Sequence, residues 1–285
     1  MDHIGEFFPD SPIWFRWLGR LAAPLFFYAL AVGFQHTRNR KKYLLRLYLA
    51  NVGMVFFNQI MCMLQRKLDY VAYQPKNHNI FTTLFCAGVL ICIWENRKEK
   101  KKFFTYIGIY IFWQAMVMGL AILAEAFDYV WRGNALLQTV LRTNYIFPLL
   151  GGIWDAEGGV FFIVLGVWLY CAVEKKGKLA LHYILFCGAY MFMCQGDILY
   201  RIMSRFSFWG YHKLADVIYF GSSFVGIPLG TSDLSLLTEF YQWMMIGALP
   251  IMLSCNGKRG KSLKWLFYAA YPLQFLVLYG ISYYK

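Results

Sequence analysis

Eight apolar segments alternate with short polar stretches along the chain, each close to the roughly 20 residues a helix needs to cross a hydrocarbon core. They run from Ile13 to Phe34, Tyr43 to Leu64, Asn79 to Trp94, Phe103 to Ala124, Gly158 to Val173, Leu179 to Tyr200, Leu234 to Leu253 and Leu263 to Tyr284. Strand alternation is nowhere long enough for a barrel, and there is no internal repeat or low-complexity tract. The pattern predicts an all-α fold: a polytopic transmembrane helix bundle of about eight spans, forming one membrane domain over residues 1–285. Two shorter apolar patches, Tyr145 to Ile153 and Val217 to Leu229, are broken by Pro148, Gly151, Gly152, Gly221, Gly226 and Pro228. They suit re-entrant or interfacial segments, because irregular backbone survives at membrane depth only where protein or a water-filled cavity satisfies it. Outer loops resting on the bundle are the alternative.

Composition agrees with a bilayer as the solvent. Of 285 residues 59% are apolar and 15% charged, against about 45–50% and about 25% in soluble domains. The net charge of +13 is confined to four stretches, His36 to Lys42, Glu95 to Lys102, Glu174 to Lys178 and Asn256 to Lys264, while the remaining residues sum to zero. Each basic stretch follows an odd-numbered span, so all four fall on one side, which the positive-inside rule makes cytoplasmic. Short basic spacers between apolar runs offer no face for nucleic acid. The first twelve residues then lie outside, with Asp2, Glu6 and Asp10, and lack the basic and apolar regions of a signal peptide. The seven cysteines lie in or at the ends of spans without a C-x-x-C, and the five histidines form no zinc spacing. Neither a disulfide framework nor a metal site is expected.

Ionisable groups inside spans cost a few kcal/mol on insertion scales and mark candidate function. Arg16, Arg20 and Pro24 recur every four residues, which predicts both guanidiniums on one helix face. Asp197 and Arg201 stand at i, i+4 with the acid first, the order that favours an ion pair. Asn58, Gln59, Asn79, Glu157, Glu239 and Gln242 map to the outer ends of their segments, giving a polar layer opposite the basic loops. Plainer roles exist for each: a structural clamp for Asp197 with Arg201, snorkelling for Arg16, interhelical hydrogen bonds for Asn58, Gln59 and Gln242, and interface anchoring for Arg46.

The run Asp2-His3-Ile4-Gly5, then Trp17-Leu18-Gly19-Arg20-Leu21-Ala22-Ala23-Pro24-Leu25-Phe26, then Gly33-Phe34-Gln35-His36-Thr37-Arg38-Asn39-Arg40-Lys41-Lys42 resembles the TraX family of bacterial integral membrane proteins. Asn77 to Leu84, Asn256 to Gly260 and Phe267 to Gln274 extend the likeness. The resemblance implies a membrane acetyltransferase that takes acetyl from cytoplasmic acetyl-CoA, with the acceptor met from the far side: a pilin-like amino terminus, a glycan or a lipid. It implies His3 as the catalytic candidate, with Arg20 and Pro24 as the adjoining motif. Two departures stand out. Only Met1 precedes the Asp2-His3 pair where relatives carry an apolar stretch, so a helix upstream of the given start is expected; and Gln274 stands where relatives often have His.

Acyl transfer needs a base for the attacking amine or hydroxyl and donors for the tetrahedral oxyanion. His3 suits the base role, Arg16 and Arg20 the charge-stabilising one. Adjacent helical residues do not face each other, so Asp2 is a poor partner for His3, and Glu157 or Asp197 is the expected orienting acid. Arg38, Arg40, Lys42 and Arg46 are candidates for the phosphates of coenzyme A. A polar-solute transporter or flippase, or a non-catalytic component of a surface-appendage machine, are the competing readings.

Overall fold

The structure is a computed structural model that describes residues 2–8, 10–70, 78–130, 143–154, 156–195, 201, 205, 211–227, 235–255 and 264–284. Each of the eight predicted segments carries a helix, and no strand occurs among the described residues. The elements are α1 (Asp2–Phe7), α2 (Trp14–Gly19), α3 (Ala22–His36), α4 (Arg40–Leu68), α5 (Ile80–Glu95), α6 (Lys100–Val130), α7 (Thr143–Leu149), α8 (Gly159–Ala172), α9 (Lys176–Gln195), α10 (Tyr211–Val225), a 3-10 helix (Gln242–Gly247), α11 (Ala248–Ser254) and α12 (Lys264–Tyr283). Among the described residues five stretches are long and apolar enough to cross a membrane: Trp14–His36, Arg40–Leu68, Lys100–Ala124, Lys176–Gln195 and Leu266–Tyr283. Ile80–Glu95, Gly159–Ala172 and Gln242–Ser254 are apolar but shorter. In the seventh segment the helix begins only at Gln242, after turns, so that predicted span is shorter than its apolar run.

The interior is apolar, as in a water-soluble protein, but the outward faces are apolar too. Along α4, Asn51, Asn58 and Gln65 recur every seventh residue and are buried, whereas Leu45, Leu49, Phe56 and Ile60 are more than half exposed. On α6, Phe104, Ile109, Ile111 and Phe112 face outward in the same way. An exposed apolar stripe this long is costly in water and ordinary against lipid tails. The chain is a multi-pass membrane protein.

The described chain packs as two compact units, one made of Met1–Gln35 with Trp168–Lys285, the other of His36–Val167. In the second unit α4 and α5 form the principal helix pair, joined by α6 and α7. The α4 start is capped by Asn39, whose side chain accepts from the Lys42 amide at 2.9 Å, and its end by Asp69 in a left-handed conformation. At the basic end of this pair the Arg40 guanidinium clasps the Glu95 carboxylate, Nη2 to Oε1 at 2.8 Å and Nε to Oε2 at 3.3 Å. The first two basic loops therefore lie together, as the parity of the spans requires. In the first unit Lys176 Nζ donates to the Leu253 carbonyl at 2.7 Å, which sets the third basic loop beside the chain leading into the fourth.

Two local expectations change. Arg16 and Arg20 are one helical turn apart, the Arg20 amide donating to the Arg16 carbonyl at 3.2 Å, but the helix is interrupted directly after them: α2 stops at Gly19 and α3 starts at Ala22. Pro24 has no N–H to return to the Arg20 carbonyl, so the hydrogen-bond ladder is interrupted at that point. The patch Val217 to Leu229, read as broken, is helical as far as Val225; the helix runs through Gly221 and ends at Gly226 (φ 87°), where the amides of Gly226 and Ile227 fold back to the Ser222 carbonyl.

Candidate functional site

In the first unit the chemistry gathers around α1. This six-residue helix packs on α2 and on α12, and α12 supplies the wall for His3: the imidazole lies 4.3 Å from the Phe275 ring centroid and meets Tyr271 edge-on at 6.2 Å. His3 Nδ1 lies 3.4 Å from Glu6 Oε2, and both side chains are partly buried, at 14% and 25% exposure. An ionised carboxylate at Nδ1 favours the tautomer with its proton there, which makes Nε2 the basic nitrogen. Contact with two aromatic rings and one acid gives this imidazole a fixed setting on its short helix.

Arg16 reaches α1 from α2. Its Nη2 donates to the Gly5 carbonyl at 2.8 Å, and a Cβ on residue 5 would stand 2.6 Å from Arg16 Nε. Glycine in the Asp-His-Ile-Gly run is thus what lets the guanidinium lie against the helix two residues beyond His3. Arg20 serves a different place, stacked over the Tyr241 ring at 5.0 Å from its centroid. Trp17 Nε1 donates to the Leu237 carbonyl at 2.8 Å and ties α2 to the segment that carries Tyr241. The structure brings His3, Glu6 and Arg16 to one helix and turns Arg20 toward another.

In the second unit the polar residues do structural work on a broken segment. The chain leaves α7 at Leu149, turns at Gly151 (φ 67°) and continues irregularly to α8. Four consecutive carbonyls of this turn accept side-chain donors. Asn51 Nδ2 donates to Pro148 O at 2.6 Å, Tyr48 OH to Leu149 O at 2.7 Å, Trp113 Nε1 to Leu150 O at 2.9 Å, and Gln114 Nε2 to Gly151 O at 3.2 Å. Gln114 Oε1 also accepts the Ile153 amide at 3.0 Å. Asn51 Oδ1 in turn accepts from Asn79 Nδ2 at 2.8 Å and Thr82 Oγ1 at 2.7 Å. Backbone that lacks helical partners is satisfied by protein, the condition for a re-entrant segment at membrane depth. The patch Tyr145 to Ile153 meets that condition, with its turn carbonyls held by side chains of α4 and α6.

The remaining predicted residues are placed as follows. Glu157 belongs to the second unit, and its backbone carbonyl accepts from Thr83 Oγ1 at 2.9 Å. Asp197 lies outside the described residues, so the Asp197–Arg201 pair does too. Arg38 and Lys42 are exposed beside the start of α4; Arg46 folds back, its Nε donating to the Lys42 carbonyl at 3.2 Å and its guanidinium 5.9 Å from the Tyr43 ring centroid. Arg40 is engaged with Glu95. Asn58 Nδ2 donates to the His78 carbonyl at 2.9 Å, the bridging role expected of it. Sequence reading passed over Glu6, Asn51 and Gln114. The i, i+3 spacing of His3 and Glu6 was a signal for the first; the other two are mid-span polar residues whose partners are carbonyls distant in sequence, which carry no side-chain signature.

A helical, multi-pass membrane protein with an imidazole–carboxylate pair on its first helix and a guanidinium on the next is the class these observations define. A family model described as "TraX protein" matches residues 1–191, and the chain belongs to the TraX family. Neither the curated proteins nor the solved structures contain a match to it.

Proposed function

We propose that this protein is a membrane-embedded acetyltransferase that moves acetyl from cytoplasmic acetyl-CoA to an acceptor at the other side of the membrane. The observation that carries the reading is the setting of His3, braced by Phe275 and Tyr271 with Glu6 at its Nδ1, inside the motif through which the chain resembles its family. His3 Nε2 takes the proton of an attacking amine or hydroxyl as it adds to the thioester carbonyl. The tetrahedral oxyanion collapses, the C–S bond breaks, and the coenzyme A thiolate leaves and is protonated from the imidazolium. Glu6 is the positioning residue. Arg16, held at Gly5, and Arg20, next to Tyr241, supply positive charge for the oxyanion. Arg38, Lys42 and Arg46 are the basic side chains available for coenzyme A phosphates; Arg40 already serves Glu95. A pilin-like amino terminus is the acceptor this family membership favours, in a bacterial cytoplasmic membrane.

Isothermal titration of the purified, detergent-solubilised chain with acetyl-CoA tests the reading. Saturable binding with one site per chain is expected. A folded protein that gives no heat of binding would instead favour the transport of a polar solute.

A further inference from the structure

The basic end of the second unit carries a feature that acetyl transfer does not use. A cavity of about 390 Å³ opens there between three helices, within the range of ligand-sized sites. Leu44 of α4, Val89 and Cys92 of α5, Asn96 just past its end, and Tyr106 and Ile109 of α6 are among the residues that line it, a largely apolar wall with the Asn96 amide at the end nearest the basic loop. Ile109 is 59% exposed and Tyr106 42%, so the groove opens on the outward face of α6, the face that meets lipid tails.

Charge stands one helical turn beyond the groove on both flanking helices. Lys41 precedes Leu44 by three residues on α4, and Lys102 precedes Tyr106 by four on α6, spacings that keep each lysine on the groove-facing stripe of its helix. Both lysines are exposed. Lys102 pairs with Glu99 at 2.7 Å, but both side chains are more than half exposed, and such a pair is worth little and yields readily. The loop before α6 and that helix's first residues add Arg97, Lys98, Lys100 and Lys101, all exposed, against the single acid Glu99. By contrast the Arg40–Glu95 pair is internally compensated. Juxtamembrane clusters of four to eight Lys and Arg attract anionic headgroups at about 1 kcal/mol per basic residue, and here the cluster caps an apolar slot.

We propose that this groove binds an anionic phospholipid of the leaflet at the basic end, one acyl chain lying along α5 and α6 and the phosphodiester held between Lys41 and Lys102. The proposal stands apart from the acetyltransferase reading.

The test uses the full chain in a neutral detergent and follows its heat-induced unfolding midpoint with added dioleoyl phosphatidylglycerol, dioleoyl phosphatidylcholine or soluble glycerol 3-phosphate. Phosphatidylglycerol should raise the midpoint, and the other two should leave it unchanged. In the double variant Lys41→Gln with Lys102→Gln, and separately in Ile109→Trp, which fills the slot from an exposed position, the rise should fall by at least half. Ile109→Ala, expected to weaken the rise by removing acyl contact, replaces Ile109→Trp if that variant does not fold. An equal response to both phospholipids, the same rise with glycerol 3-phosphate, or a phosphatidylglycerol effect that survives either the charge or the groove substitution overturns the proposal.

Discussion

The two units spend their internal polarity in opposite ways. In His36–Val167 the buried polar side chains are amides and hydroxyls, and much of their hydrogen bonding goes to backbone: Asn51 and Gln114, together with the part-buried Tyr48 and the exposed Trp113, each take one carbonyl of the Pro148–Gly151 turn. In the other unit the polar groups around α1 are ionisable, an imidazole, a carboxylate and a guanidinium, and their partners include one another, aromatic rings and the Gly5 carbonyl. Amides and hydroxyls satisfy irregular backbone in hydrocarbon without a charge to desolvate. Titratable groups are costlier there and are kept where charge or proton transfer is useful. Polarity inside a membrane protein is therefore a poor guide to function until its partners are known.

The comparison breaks most visibly at Asn51. Asn51→Leu removes three side-chain hydrogen bonds, to Pro148, Asn79 and Thr82, and at about 0.6–1.7 kcal/mol for each membrane-buried bond should cost the fold about 2–5 kcal/mol. Its unfolding midpoint in detergent checks this, and acetyl transfer should fall only as far as the folded fraction does. A mutant with unchanged stability and abolished transfer would move Asn51 into the chemistry and erase the distinction. A smaller effect is expected at Glu6. Glu6→Ala should lower the rate of transfer about tenfold, about 1.4 kcal/mol of transition-state stabilisation, while acetyl-CoA affinity by titration stays as it was. Glu6→Gln, which keeps an oxygen within reach of Nδ1, should recover part of the rate; a loss of affinity instead would make Glu6 a cofactor contact.

Much of the architecture was legible because lipid imposes a simple grammar. Long apolar runs had to be helices, and charge parity had to bring the basic loops to one end; the Arg40–Glu95 clasp and the Lys176–Leu253 contact follow that rule within their units. Pro148 with Gly151 and Gly152 marked a break in an apolar stretch, and the break is there. Finer geometry was harder. The four-residue spacing of Arg16, Arg20 and Pro24 suggested one helix face, yet Pro24 itself interrupts the ladder at Arg20, and the two guanidiniums end at Gly5 and Tyr241. The acids expected to orient His3 were Glu157 and Asp197, the second outside the described residues; the acid the structure sets beside His3 Nδ1 is Glu6, one turn away on the same helix. Asn51 and Gln114 escaped because a side chain that recognises a carbonyl leaves no trace in the identity of the residue it recognises.

The central claim is that His3 acts in chemistry and not in packing. The direct measurement is label transfer from radiolabelled acetyl-CoA to membrane components by the full chain and by His3→Ala, taken together with the unfolding midpoint of each. Transfer should fall by about 10²- to 10⁴-fold, the usual contribution of a general base, with the midpoint unchanged. Turnover of His3→Ala at the level of the unaltered protein would contradict the account.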